Sequence, residues 1–150
     1  MPGLDEFNAR CNFNFDEGKD EGWREVFSYN ITFDQPTDVE GQPTGTVRGG
    51  KLEVVLKGKD DGNIEVPTYM LDSFKRIDKA CLKLRDMLGR FMKTIYLYDC
   101  YVISYEEAFE MDNADNFLQE KFVITSRVIE IKNANDTATF NNHWSTVKLV

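Results

Sequence analysis

The chain has 150 residues, 41% hydrophobic and 13% aromatic, which is enough apolar material for one core and points to a single domain over residues 1–150. Its 18 Lys and Arg stand against 26 Asp and Glu, a formal net charge of -8. Such a field repels phosphate backbones, argues against nucleic acid as a partner, and suits contact with basic protein surfaces.

The start, residues 1–6, carries neither a basic cluster nor an apolar stretch, so no secretory leader is expected there, and no run reaches the roughly 18 apolar residues of a membrane span. Cytoplasmic synthesis follows as an expectation. Cys11, Phe13 and Phe15 then alternate with Asn12 and Asn14 ahead of the turn-rich residues 16–22, which predicts an N-terminal strand and hairpin. Residues 26–33 set Phe27, Tyr29, Ile31 and Phe33 on one face and Ser28, Asn30 and Thr32 on the other. That is the pattern of a half-buried strand.

Residues 34–45 are polar and hold two prolines and two glycines. They predict a long loop, of the kind that is either functional or disordered. Gly49 and Gly50 follow Arg48 without a phosphate-binding glycine motif around them, so they read as a bulge or tight bend. Arg48 has two open roles, pairing with a carboxylate across an interface or within the loop.

Leu52, Val54 and Leu56 predict a strand over residues 51–57. Pro67, suited to a first helical turn, with Met70, Leu71 and Phe74 at helical spacing, predicts one short helix. A shorter strand is expected over residues 80–84. Period-two patterning returns over residues 94–105, interrupted near Asp99, with Tyr96 and Tyr98 opposite Ile95 and Leu97; core packing is the favoured reading of the tyrosines over an exposed binding stripe. Glu106, Glu107, Glu110, Asp112 and Asp115 read as a solvated acidic loop. Residues 120–132 carry Val123, Thr125, Ile129 and Ile131 on one side and Phe122, Ile124 and Val128 on the other, which implies contact on both faces.

Several strands and one helix predict a mainly β fold, an antiparallel β-barrel with one short flanking α-helix and a long extended loop. Catalytic chemistry finds little support. His143, the one histidine, has no nucleophile elbow or advertised partner. Residues 112–116 lack the central glycine of a calcium loop. Cys11, Cys81 and Cys100 form no C-x-x-C pair and read as reduced and buried. No catalytic residue, cofactor or metal ligand is expected.

Residues 33–38 and the run Val47, Arg48, Gly49, Gly50, Lys51 are informative together. With residues 69–73, the strand over 93–105 centred on Tyr101 and Val102, residues 124–127, and the closing Asn141, Asn142, His143 and Trp144, they span most of the chain. In this order and spacing the chain resembles the Hcp (TssD) tube protein family of type VI secretion, in the form found in Bacteroidetes.

The resemblance implies a β-barrel flanked by a helix, self-assembly into hexameric rings, and stacking into a hollow tube driven out by a contractile sheath. Partners implied are other copies of the chain, the spike protein, sheath and baseplate, and effector proteins in the lumen, with no nucleic acid and no membrane insertion. Assembly would occur in the cytoplasm, followed by export without an N-terminal signal. The family's extended loop contributes subunit or ring contacts, which puts the expected interface at Asp34, Gln35, Asp38, Glu40, Arg48, Gly49 and Gly50. The charged segment 16–22 and the tail 145–150 depart from the pattern. The rival reading is a monomeric barrel that holds a small apolar ligand; an enzyme using the acidic segment ranks third.

Overall fold

A computed structural model describes residues 10–58, 61–111, 116–142 and Trp144. His143, Asp112, Asp115, the start of the chain and the tail after Trp144 lie outside the described residues. The elements are β1 (Cys11–Asn14), a 3-10 turn (Asp20–Gly22), β2 (Arg24–Asp34), β3 (Arg48–Lys57), α1 (Glu65–Leu71), β4 (Ile77–Arg85), β5 (Phe91–Met111), β6 (Asn116–Lys132) and β7 (Thr137–Asn141).

All pairings are antiparallel, in the order β3-β2-β1-β4-β5-β6-β7, and β3 also pairs with β6. That last pairing, with Leu52 opposite Ile124 and Lys57 opposite Gln119, closes the first six strands into a barrel. Closure leaves fewer free backbone edges than an open sheet of the same strands. β7 adds to β6 beyond the end of β3, with Phe140 opposite Ile129.

The barrel interior is filled by side chains, among them Phe13, Leu52, Val54, Leu56, Leu82, Leu97, Phe122 and Ile124, all fully buried. Phe13 meets Phe15 and Phe122 edge to face, at centroid distances of 4.9 and 5.3 Å, an arrangement favoured by the ring quadrupoles. α1 packs against the core and β5. Its Val66 is fully buried, and the Tyr69 ring packs at a tilt against Phe15, 4.8 Å between centroids. Pro67 does sit in the first turn, where its missing N–H has no intrahelical partner to lose. The helix ends at Leu71, earlier than its apolar spacing predicts: Phe74 lies beyond it at φ 62° and, like Leu71, is exposed.

The interruption near Asp99 is a change of face. On β5 the buried residues pass from Ile95 and Leu97 to Cys100 and Val102, so the period of two slips by one. On β6 they pass from Phe122, Ile124 and Ser126 to Ile129, the same slip. The slips coincide in the ladder, where Tyr98 faces Val128 and Cys100 faces Ser126. Between them Asp99 adopts φ 53°, a left-handed conformation that Asp tolerates better than most residues. Part of the apolar character on both faces of β6 is therefore an exchange of the inward face rather than cover on both sides.

Two further expectations change. Tyr96 and Tyr98 stand outside the barrel, since Ile95 and Leu97 take the interior and a phenol needs a polar partner. Tyr96 donates to Glu17 at 2.9 Å and Tyr98 to Glu130 at 2.7 Å, with the Lys79 ammonium 4.5 Å from the Tyr96 ring. Glu106, Glu107 and Glu110 belong to β5, not to a loop; the ladder with β6 runs on to Met111 opposite Asn116.

Candidate assembly surface

The long loop between β2 and β3 is a small built hairpin. Thr37 and Pro43 form an isolated bridge, and the Thr44 amide donates to the Pro36 carbonyl at 2.8 Å. Asp38 organises the tip: its Oδ1 accepts the amides of Glu40 at 2.9 Å and Gln42 at 3.0 Å, and its carbonyl accepts the Gly41 amide at 3.1 Å. This is the Asx capping that makes Asp a turn former, and Gly41 supplies the φ of 84° the turn requires. The loop is exposed along nearly its whole length.

The root is fixed more firmly. Arg48 and Asp34 face each other across the first rung of β2 and β3, with Nε 3.2 Å from Oδ1 and Nη2 3.3 Å from Oδ2. Both side chains are more than half exposed, so the pair adds at most about 1 kcal/mol. Of the two roles open to Arg48, this conformation shows the one within the loop. Gly49 and Gly50 form the bulge expected of them, at the register shift between Thr32 and Phe33. Gly49 has φ 110°, and a Cβ there would lie 2.6 Å from the Thr32 carbonyl. Gly50, at φ 75°, presses on Phe140, whose Cε1 would be 2.7 Å from an added Cβ.

The expected site residues thus fall into two groups. Asp34, Arg48, Gly49 and Gly50 meet at the root, while Asp38 and Glu40 form the tip. Gln35 is exposed between them. Beside the root an apolar groove of about 420 Å3 runs between Phe33, Val47, Ile129 and Phe140.

Two features were not singled out in the sequence. A cleft of about 690 Å3 opens where α1 passes β5, lined by Tyr69, Met70, Phe74, Tyr101, Ile103 and Trp144 with Lys51, Lys75 and Arg127. Trp144 lies 5.9 Å from the Tyr101 ring and 5.7 Å from the Arg127 guanidinium. The second is the overhang of β5. Its pairing with β4 ends at Ile77 opposite Cys100, yet the strand continues to Met111, paired among the described residues with β6 alone. The alternation of Phe109 and Met111 with Glu110 was the available signal, masked by the charge around it.

Catalytic raw material is scarce among the described residues, where no group of three His, Cys, Asp or Glu is placed to hold a metal. Burial pushes the thiols of Cys11, Cys81 and Cys100 up to about 12 each, away from the thiolate that reactivity needs.

Comparison with known proteins follows the same lines. The family model described as hemolysin coregulated protein Hcp (TssD) matches residues 7–145. Among solved structures, Hcp1 from Flavobacterium johnsoniae is 24% identical with a TM-score of 0.72, the match covering 88% of this chain and 98% of that one. Hcp1 from E. coli EAEC 042, solved as a mutant, is 16% identical with a TM-score of 0.69, covering 89% and 99%. The secreted protein Hcp3 from Pseudomonas aeruginosa is 13% identical with a TM-score of 0.60, covering 87% and 98%. At these identities the structures attest the fold. No curated protein matches the chain.

Proposed function

The chain belongs to the Hcp (TssD) family, and from that premise we propose that it is a structural subunit of the inner tube of a type VI secretion system. The observation that carries this reading is the family match over residues 7–145. In this proposal copies associate into hexameric rings, the rings stack into a hollow tube, and a contractile sheath drives the tube out with effector proteins in its lumen. Spike protein and baseplate are the other machine components it meets. The subunit acts by shape rather than by catalysis, as one domain over residues 1–150, assembled in the cytoplasm and then exported. The described residues contain no helix long and apolar enough to cross a membrane.

Two features of the fold favour this over a ligand-carrying barrel. The interior is occupied by fully buried side chains, as small barrels without cargo are. The loop over residues 34–50 is a hairpin ordered by Asp38 and anchored by two glycines with little tolerance for side chains, a form suited to docking without a large entropic cost. Asp34, Gln35, Asp38, Glu40, Arg48, Gly49 and Gly50 are proposed as part of the surface between rings. Asp34 would then hold Arg48 until a neighbouring carboxylate competes for it.

The test is the solution mass of the purified chain by light scattering, with negative-stain images of the same sample. Hexameric rings are expected. A strict monomer at high concentration, without rings in the images, sinks the tube reading. Arg48→Ala should leave the melting temperature nearly unchanged and weaken ring stacking; tubes as abundant as those of the unaltered chain would remove the loop from the interface.

A further inference from the structure

We propose that the cleft between α1 and β5 receives the β5–β6 overhang of a second copy of this chain. The proposal rests on the ring-forming reading above and assigns the two surfaces of one contact between copies.

The overhang is built to be covered. Past Cys100 the outer edge of β5 has no strand partner among the described residues, so its N–H and C=O groups are open to another chain. Phe109 and Met111 are 64% and 79% exposed. The side chains of Glu106, Glu107 and Glu110 form no ion pair with a described residue, and their one side-chain hydrogen bond among the described residues is from Tyr105 Oη to Glu107, at 3.3 Å. Apolar side chains on an open, protruding edge are an aggregation liability unless an intended partner takes them.

The cleft has the opposite chemistry. Its walls are aromatic and apolar, and its rim holds the cations Lys51, Lys75 and Arg127 against a single acid, Asp72, among the described lining residues. Arg127 is already engaged, 3.6 Å from Asp99, whereas Lys51 and Lys75 have no ion pair with a described residue and are exposed. In a chain of net charge -8, a cationic apolar cleft and an anionic apolar arm are complementary in both sign and hydrophobicity.

An arm seated in this cleft belongs to another copy. Tyr101, Val102 and Ile103 line the cleft, and the overhang is the continuation of the same strand, locked in register with β6. It cannot fold back over its own root without breaking that ladder. Contact of one copy's arm with the next copy's cleft is heterologous, the geometry that closes into a ring or runs on as a filament.

The experiment is a charge swap read by sedimentation velocity on the full chain, with circular dichroism melts to confirm folding. One protein carries Glu106→Lys and Glu110→Lys; the other carries Lys51→Glu and Lys75→Glu. Each alone should need about tenfold or more concentration to assemble than the unaltered chain, as expected for like charges brought together at a contact. An equimolar mixture of the two should assemble again, because each reversed arm then meets a reversed cleft and each unaltered arm an unaltered cleft. Either variant assembling like the unaltered chain, or a mixture that stays dissociated, overturns this contact and leaves the ring reading standing. An unaltered chain that is monomeric throughout overturns both.

Discussion

Glu120 on β6 and Arg24 on β2 form an ion pair inside the barrel, with side chains only 2% and 3% exposed. The second carboxylate oxygen of Glu120 accepts the Tyr105 hydroxyl at 2.9 Å, and Arg24 also donates to the Lys57 carbonyl at 3.2 Å. The pair therefore links β2, β3, β5 and β6 at the root of the overhang. Its satisfaction is incomplete, since Arg24 Nε and Nη1 are buried with no hydrogen-bond partner among the described residues.

A buried pair of this kind costs more to break than it gains by forming. Glu120→Ala should lower the unfolding free energy by about 3–5 kcal/mol, because it strands the Arg24 charge. Replacing both partners, Arg24→Met with Glu120→Leu, should recover most of that loss. Urea denaturation of the three proteins measures it, and equal losses in the single and double variants would show that the pair is not the unit of stability here.

The loop's tip and root separate two effects of glycine. Gly41 and Gly50 both have positive φ, at 84° and 75°, but a Cβ on Gly41 meets nothing within 4 Å while one on Gly50 meets Phe140 at 2.7 Å. Gly41→Ala should cost only the left-handed backbone penalty of about 1–2 kcal/mol. Gly50→Ala adds overpacking against β7, for a further loss of about 1–3 kcal/mol. Thermal melts should rank the two in that order.

Glu17 gives an acid-side signature. Burial would raise its carboxyl, but hydrogen bonds from Lys83 and Tyr96 and the charges of Lys83 and Lys79 outweigh it and hold the group below its ordinary 4.5. With the folded value depressed, the stabilisation is present above the unfolded value and is lost as pH falls through the folded one. Glu17→Gln should be less stable than the unaltered chain near neutral pH, by up to about 1 kcal/mol for so partly exposed a cluster. The gap should close as pH drops below 4.5, a convergence that parallel denaturation curves at several pH values can detect.

The three cysteines are buried and unpaired, and their raised pKa values predict silence toward thiol reagents at neutral pH in the folded protein. Full labelling should appear only after denaturation. Rapid labelling of Cys11 or Cys100 in the native state would mean that the barrel opens locally far more often than its packing implies, while labelling of Cys81, which sits opposite Tyr96 and against Glu17, would report only loosening of the cover over the outer face.

The alternation of single residues made much of this fold legible. Phe13 and Phe15, then Leu52, Val54 and Leu56, announce their strands because a period of two is a property of the chain itself. Asp38, Gly41 and the two prolines announce the loop for the same local reason. β7 was not legible: in Thr137–Asn141 only Phe140 is buried, and the strand exists because β6 offers it an edge. The direction of Tyr96 and Tyr98 was not legible either, since alternation sorts residues into two faces without saying which faces inward.

What the sequence determined by itself is the barrel class with its one helix and long loop, reached through the strand pattern and the family resemblance over most of the chain, together with local features: where strands begin to alternate, where the chain must turn, and which catalytic constellations are unadvertised. Only the tertiary structure decided closure through β3 and β6, the exchange of faces at Asp99, the burial of Arg24 against Glu120, and the meeting of α1 with β5 that forms the cleft. Each of these joins residues far apart in the chain, where the winning arrangement is set by competition among whole surfaces for burial, and no local pattern carries that comparison.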